Sequence, residues 1–119
     1  MSSDRPYTLT PLDGAGSEIR FTARLDPSHP IFGGHFPAQP VLPGVCTLAM
    51  LRDAIARTEG HPVRFDRIRE CKFTAPVDPR TTESLELRMT ASGGEVRATV
   101  ADRERIVLKL KATYTLQDE

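Results

Sequence analysis

HPIFGGHFPAQPVLPGVCTLAMLRDAI, residues 29–55, changes character in its middle. The first part carries Pro30, Pro37, Pro40 and Pro43 with Gly33, Gly34 and Gly44, and from there on the residues are helix formers. Each proline lacks an N–H and pushes the residue before it out of the helical region, so residues 26–44 read as a stiff, ordered loop. Pro43 suits a helix start and Gly60 the position just past a helix end, with Pro62 beyond it. The spacing therefore predicts a helix of about four turns over residues 44–59. Val45, Leu48, Leu51 and Ile55 read as its apolar face, widened by Ala49, Met50 and Ala54, with the early turns buried.

On the N-terminal side, SEIRFTARL (17–25) alternates Ile19, Phe21, Ala23 and Leu25 with polar residues and reads as the first strand. On the other side, VRFDRIRECKFTAPV (63–77) is rich in β-formers, and its uneven alternation over residues 68–71 predicts a bulge. Pro76 and Pro79 end it. LELRMTA (85–91), EVRATVA (95–101) and RIVLKLKATYTL (105–116) follow, joined by Ser92-Gly93-Gly94 and by a polar turn at 102–104, as an antiparallel meander. A strand, one buried helix and four more strands predict an α+β chain: a curved antiparallel sheet of five or six strands wrapped around the helix, the hotdog architecture. One such unit leaves an edge strand and part of the helix uncovered, so a dimer with continuous sheets is expected.

Residues 1–119 read as one domain. Lys plus Arg and Asp plus Glu are 16 each, so charge points to no nucleic acid and no membrane surface. No apolar run approaches the roughly 20 residues that span a bilayer. MSSDRPYTLT lacks the order of a signal peptide, and a cytoplasmic location is expected. Cys46 and Cys71 form no CxxC pair and have no His at zinc spacing, so no metal and no cofactor is expected, and both read as buried, unpaired thiols.

The chemistry lies where the loop meets the helix. A helix start offers unpaired N–H groups and the positive end of the helix dipole, which suit a carbonyl oxygen that gains negative charge. Gly44, without a side chain, lets a substrate approach the backbone. His35, held by Pro37 and the Gly33-Gly34 pair, is then placed to take a proton from the carbon beside that carbonyl, although an isolated His also serves simply to hydrogen-bond its own loop.

HFPAQPVLPGV (35–45) resembles the HFPxxPxxPGV signature of the β-hydroxyacyl-acyl carrier protein dehydratases, a family with the hotdog fold. DPSHPIFGGHFP resembles that family's approach to its His, and CKFTAPVDP its KFRxPVxPGD strand, so about half the chain takes part. The resemblance implies that His35 removes the α-proton of a 3-hydroxyacyl thioester and that the Gly44 N–H holds the thioester carbonyl. It also implies a narrow tunnel at the dimer interface, with Pro43, Val45 and position 49 beside the substrate. Phe32 and Phe36 line that tunnel or pack on the helix. The family's second catalytic residue is a Glu or Asp on the central helix of the other subunit, which protonates the leaving hydroxyl. Here that position is Ala49, which carries no proton to give.

Asp53, one turn further on, is the candidate substitute acid, with an ion pair to Arg57 as its alternative fate. Glu70 is a weaker candidate. Arg52 holds a phosphate or pantetheine oxygen, or is merely exposed. His29 and His61 precede prolines and receive no chemistry. The first reading is a dehydratase (lyase) of 3-hydroxyacyl thioesters carried on acyl carrier protein or coenzyme A, in fatty acid or related lipid or polyketide biosynthesis, as a homodimer or higher oligomer. The alternatives are a noncatalytic acyl-thioester or carrier-protein binding subunit paired with a catalytic hotdog partner in a hetero-oligomer, and an acyl thioesterase.

Overall fold

The computed structural model describes residues 5–13, 18–32 and 41–117. In chain order they form β1 (Tyr7–Leu12), β2 (Glu18–Leu25), a 3-10 turn (Pro30–Phe32), α1 (Gly44–Glu59), β3 (Val63–Phe73), β4 (Ser84–Ser92), β5 (Glu95–Asp102) and β6 (Arg105–Leu116). The strands make one antiparallel sheet in the order β1-β2-β4-β5-β6-β3. This is the expected α+β hotdog fold, with six strands and one long helix.

Period-2 burial decides which sheet face meets α1. Phe21, Ala23 and Leu25 of β2, Leu85, Leu87 and Met89 of β4, Val96, Ala98 and Val100 of β5, and Leu108, Leu110 and Ala112 of β6 are all buried, while the residues between them are more exposed. The sheet's inner face packs on Met50, Leu51, Ala54 and Ile55 of the helix. A register break opposite Val100 and Ala101 lets two consecutive residues, Val107 and Leu108, both turn inward.

Three expectations are corrected. SEIRFTARL is not the first strand: β1 precedes it and pairs with it from Tyr7↔Leu25 to Leu12↔Arg20. Pro11 is tolerated there because β1 is an edge strand and pairs on one side only. The extended segment after the helix leaves the sheet at Phe73 rather than at residue 77, and beside the expected bulge, found between Ile68 and Glu70, it carries a second register break between Phe65 and Arg67. β3 pairs with β6 at the far edge of the sheet.

The third correction concerns α1. Its ends are as predicted: Gly60 has φ 78° and donates its N–H to Ala56 O at 2.8 Å. Its buried face, however, is Cys46, Thr47, Met50, Leu51, Ala54 and Ile55. Val45 is 72% exposed and Leu48 only half-buried. Three-residue steps fall about 60° short of a full turn, so positions 45, 48 and 51 drift around the helix instead of stacking on one side.

Candidate active site

Both ends of the segment that carries His35 are anchored. Upstream, Asp26 accepts from the Ser28 N–H and hydroxyl, its backbone carbonyl accepts from the His29 N–H, and its own N–H donates to Pro6 O. Phe32, at the end of the 3-10 turn, is buried in the core, so of its two expected roles packing is the one observed. Downstream, the Leu42 N–H donates to Val77 O at 2.8 Å, and Leu42 is buried. His35 and Phe36 lie outside the described residues, as does the stretch between them and Val41.

From Leu42 the chain turns through Pro43 (φ −61°, ψ 142°) into α1. No side chain caps this end. Among the described residues no acceptor meets the Gly44 N–H, while the Cys46 N–H returns to Pro43 O at 3.0 Å. The helix start opens onto an apolar cleft of about 490 Å³ between α1 and the segment that leaves β3. Leu42, Gly44 and Thr47 form one side, Phe73, Val77 and Val107 the other. The second side is held by backbone bonds: Thr74 donates its N–H to Val107 O and its hydroxyl to Ile106 O. Phe73 itself is 55% exposed, and its ring covers Gly44 so closely that a Cβ there would stand 2.7 Å from Cζ.

The carboxylates fall elsewhere. Ala49 is half-buried against the core. Asp53 is not paired with Arg57: it accepts from the Tyr7 hydroxyl at 2.6 Å and meets Arg5 Nε at 2.7 Å, whereas Arg57 donates to Leu9 O and stands over the Phe21 ring. Burial and the neighbouring Asp53 carboxylate push the Tyr7 phenol well above its ordinary value, so Tyr7 stays a donor and Asp53 stays occupied. Arg52 is exposed, 3.8 Å from Asp53. Glu70 lies on the edge strand beside Lys72.

The remaining candidates separate cleanly. His29 is not partnerless, since its Nδ1 accepts the Ile31 N–H at 3.1 Å, and His61 is exposed past the helix end. Both cysteines are free; Cys46 is buried but Cys71 only half-buried. Burial pushes both thiols up, away from a nucleophilic thiolate. Among the described residues no group of His, Cys, Asp and Glu could hold a metal, and no helix is long and apolar enough to cross a membrane. Sequence reasoning missed Phe73 and Thr47 as residues of this cleft. The one signal for Phe73 was its place in CKFTAPVDP; Thr47 gave none.

A curved antiparallel sheet around one long helix defines the chain's class as a hotdog protein. The chain belongs to the ApeI-like family, described as ApeI dehydratase, whose profile matches residues 13–111, a range that includes His35, Gly44 and Ala49. A 3-hydroxyacyl-[acyl-carrier-protein] dehydratase FabZ of Zymomonas mobilis is 30% identical over 114 residues, covering 84% of this chain and 70% of the relative. The FabZ of Anaeromyxobacter dehalogenans strain 2CP-C is 34% identical over 79 residues, 58% of this chain, and the match spans about half (51%) of that relative's length. Among solved structures, a chain of the dehydratase heterocomplex ApeI:P of Xenorhabdus doucetiae superposes with a TM-score of 0.76 at 22% identity, over 91% of this chain and 96% of that one.

Proposed function

We propose that this protein is a 3-hydroxyacyl thioester dehydratase subunit that supplies the base and the carbonyl-binding backbone of the active site. The observation that carries the reading is the uncapped start of α1 at Gly44, opening onto an apolar cleft at the end of the HFPAQPVLPGV run. In this reading His35 takes the proton from C2 of the substrate, and the negative charge gathering on the thioester oxygen is held by the Gly44 N–H. The C3–O bond then breaks. The departing hydroxide takes a proton from an acid and leaves as water, and a 2-enoyl thioester remains.

That acid is the open position. Ala49 has none, and Asp53 is taken up by Tyr7 and Arg5. A second copy of the same chain brings another Ala49, so the arrangement favours a heteromeric pair in which a different hotdog subunit provides the carboxylate. The existence of a heterocomplex among the structural relatives supports this, as do the free edge of β3 and the exposed Val45, Ile68 and Phe73 around the helix start and that edge. The homodimer remains the simpler assembly to test first. The substrate is a thioester of an acyl carrier protein or of coenzyme A, and the working compartment is the cytoplasm. The test is to incubate the chain, alone and with a candidate hotdog partner, with 3-hydroxybutyryl and crotonyl thioesters while following hydration and hydrolysis separately. Reversible hydration only with the partner supports the heteromer. Hydrolysis without hydration makes the protein a thioesterase, and binding without either reaction makes it a noncatalytic subunit.

A further inference from the structure

Phe73 is the last residue of an edge strand, more than half exposed, yet its ring lies over the first residue of α1. Its Cζ and Cε1 stand 2.7 and 2.9 Å from where a Cβ on residue 44 would be, closer than a methyl group tolerates. The backbone on either side is fixed, by the β3–β6 ladder up to Phe73↔Leu108 and by the two bonds of Thr74, so the strand end delivers the ring to the start of α1, where turning it out to solvent forfeits its apolar contacts. An aromatic ring offers a helix N–H no strong acceptor. The space above Gly44 is therefore shaped by Phe73 and is available to a ligand that brings a carbonyl oxygen.

We propose that Phe73 determines specificity at the carbon next to the thioester, admitting straight-chain acyl groups and disfavouring those branched at C2. This rests on the proposed dehydratase reading only for the identity of the ligand. A carbonyl oxygen about 3 Å from the Gly44 N–H places C2 one bond beyond the carbonyl carbon, beside the Gly44 Cα and under the edge of the ring. Two hydrogens on C2 fit there. A methyl group on C2 needs the volume that Phe73 holds, just as a Cβ on residue 44 does. Thr47, buried on the next turn of α1, lines the same cleft.

The experiment uses the full chain and two unreactive probes, pantetheine analogues carrying butyryl or 2-methylbutyryl through an amide in place of the thioester, with affinity read by calorimetry. Turning the ring out forfeits roughly half of a phenylalanine's burial, so the wild type should prefer the butyryl probe about fivefold. In Phe73→Ala that preference should fall to roughly twofold, and Phe73→Leu, which keeps an apolar group at the strand end, should lie between. Unfolding curves of both variants establish that they are folded. Equal affinities for the two probes in the wild type, or an unchanged preference in folded Phe73→Ala, overturn the inference, and so does the binding of neither probe. Turnover of 3-hydroxybutyryl thioester is measured beside it. Turnover without discrimination sinks the role of Phe73 and leaves the dehydratase reading standing, whereas discrimination without turnover does the reverse.

Discussion

Replacing Gly44 with Ala separates the structural role of that position from its chemical one. Gly44 needs no left-handed backbone, so Ala fits the helix there, and Ala is favoured over Gly by up to about 1 kcal/mol in a helix, less at its first residue. Against this stands the Phe73 ring, 2.7 to 2.9 Å from the new methyl. Because Phe73 is 55% exposed it can turn out to solvent, losing contacts worth roughly 1 kcal/mol. The two terms nearly cancel, so net stability should change by less than about 1 kcal/mol, a Tm shift under roughly 8 °C for a chain of this size. The rate behaves differently. The added methyl fills the approach to the Gly44 N–H, and removing one donor to a developing oxyanion costs about a hundred- to a thousandfold. Thermal unfolding by circular dichroism and hydration of crotonyl thioester, in whichever assembly is active, measure both quantities on one preparation. The double variant Gly44→Ala/Phe73→Ala removes the clash and should not recover the rate. Folded Gly44→Ala within threefold of wild-type turnover would refute the assignment of the helix start as the carbonyl site.

Three further outcomes are expected. Ala49→Glu places a carboxylate at the empty position, and in a homodimer it should raise turnover by about a hundredfold or more, at an overpacking cost of about 1 to 3 kcal/mol to be checked by unfolding; no gain in a folded, dimeric variant points to a heteromeric partner as the source of the acid. Asp53→Asn should leave turnover within about threefold while lowering stability by about 1 kcal/mol, since it weakens a tether rather than removes a proton donor; loss of activity beyond a hundredfold would make Asp53 the substitute acid after all. Tyr7, held protonated by burial and by Asp53, has a raised folded-state value, so its contribution is complete below the unfolded phenol value of about 10 and is lost as pH climbs through the folded one. The unfolding temperature should therefore fall above about pH 10, more steeply in the wild type than in Tyr7→Phe, with the residual slope due to Tyr114, Cys46 and Cys71, which are shifted the same way; equal slopes would contradict the assignment.

Local rules carried the helix and the meander because each of those boundaries is marked by a residue with a backbone reason. Pro43 and Gly60 bracket α1, and Gly93 and Gly94, both at positive φ, turn β4 into β5. The first strand was not legible for the opposite reason: in YTLTPL the only buried residue is Tyr7, and Pro11 argues against a strand until one knows that β1 is an edge. The site divides in the same way. Gly44 and Pro43 could be read from one unbroken run, whereas Phe73 reaches Gly44 only because β3 crosses to the far edge of the sheet and delivers its last residue beside the helix start. The misread helix face was a matter of phase: Met50, Leu51, Ala54 and Ile55 are buried as expected, Cys46 and the polar Thr47 join them, and Val45 lies on the wrong side.

That phase bears on the acid that the proposed reading leaves open. Asp53 is the carboxylate nearest to position 49 along α1, and it is spent on β1: Tyr7 and Arg5 converge on it, so it ties the N-terminal edge strand to the helix. Tyr114 makes the matching contact from β6 to Glu59, about 1.7 turns further along. Moving Asp53 toward the substrate would release the first of these tethers and leave the buried Tyr7 hydroxyl without its acceptor, at a cost of about 1 to 3 kcal/mol. The exposed Val45, by contrast, makes none of the hydrogen bonds or core contacts found among the described residues and turns an apolar side chain outward beside the helix start. Within a single chain, then, the helix has committed its carboxylates to holding the fold together and left an apolar patch near its start, Val45 with the half-buried Leu48 and Ala49, only partly covered, while Arg52 and Arg57 carry charge further along. A proton donor for the departing hydroxyl is more easily supplied across that apolar patch than rebuilt from Asp53, which is why turnover of Ala49→Glu, and not of any Asp53 variant, is the measurement that decides between a self-sufficient dimer and a subunit completed by another.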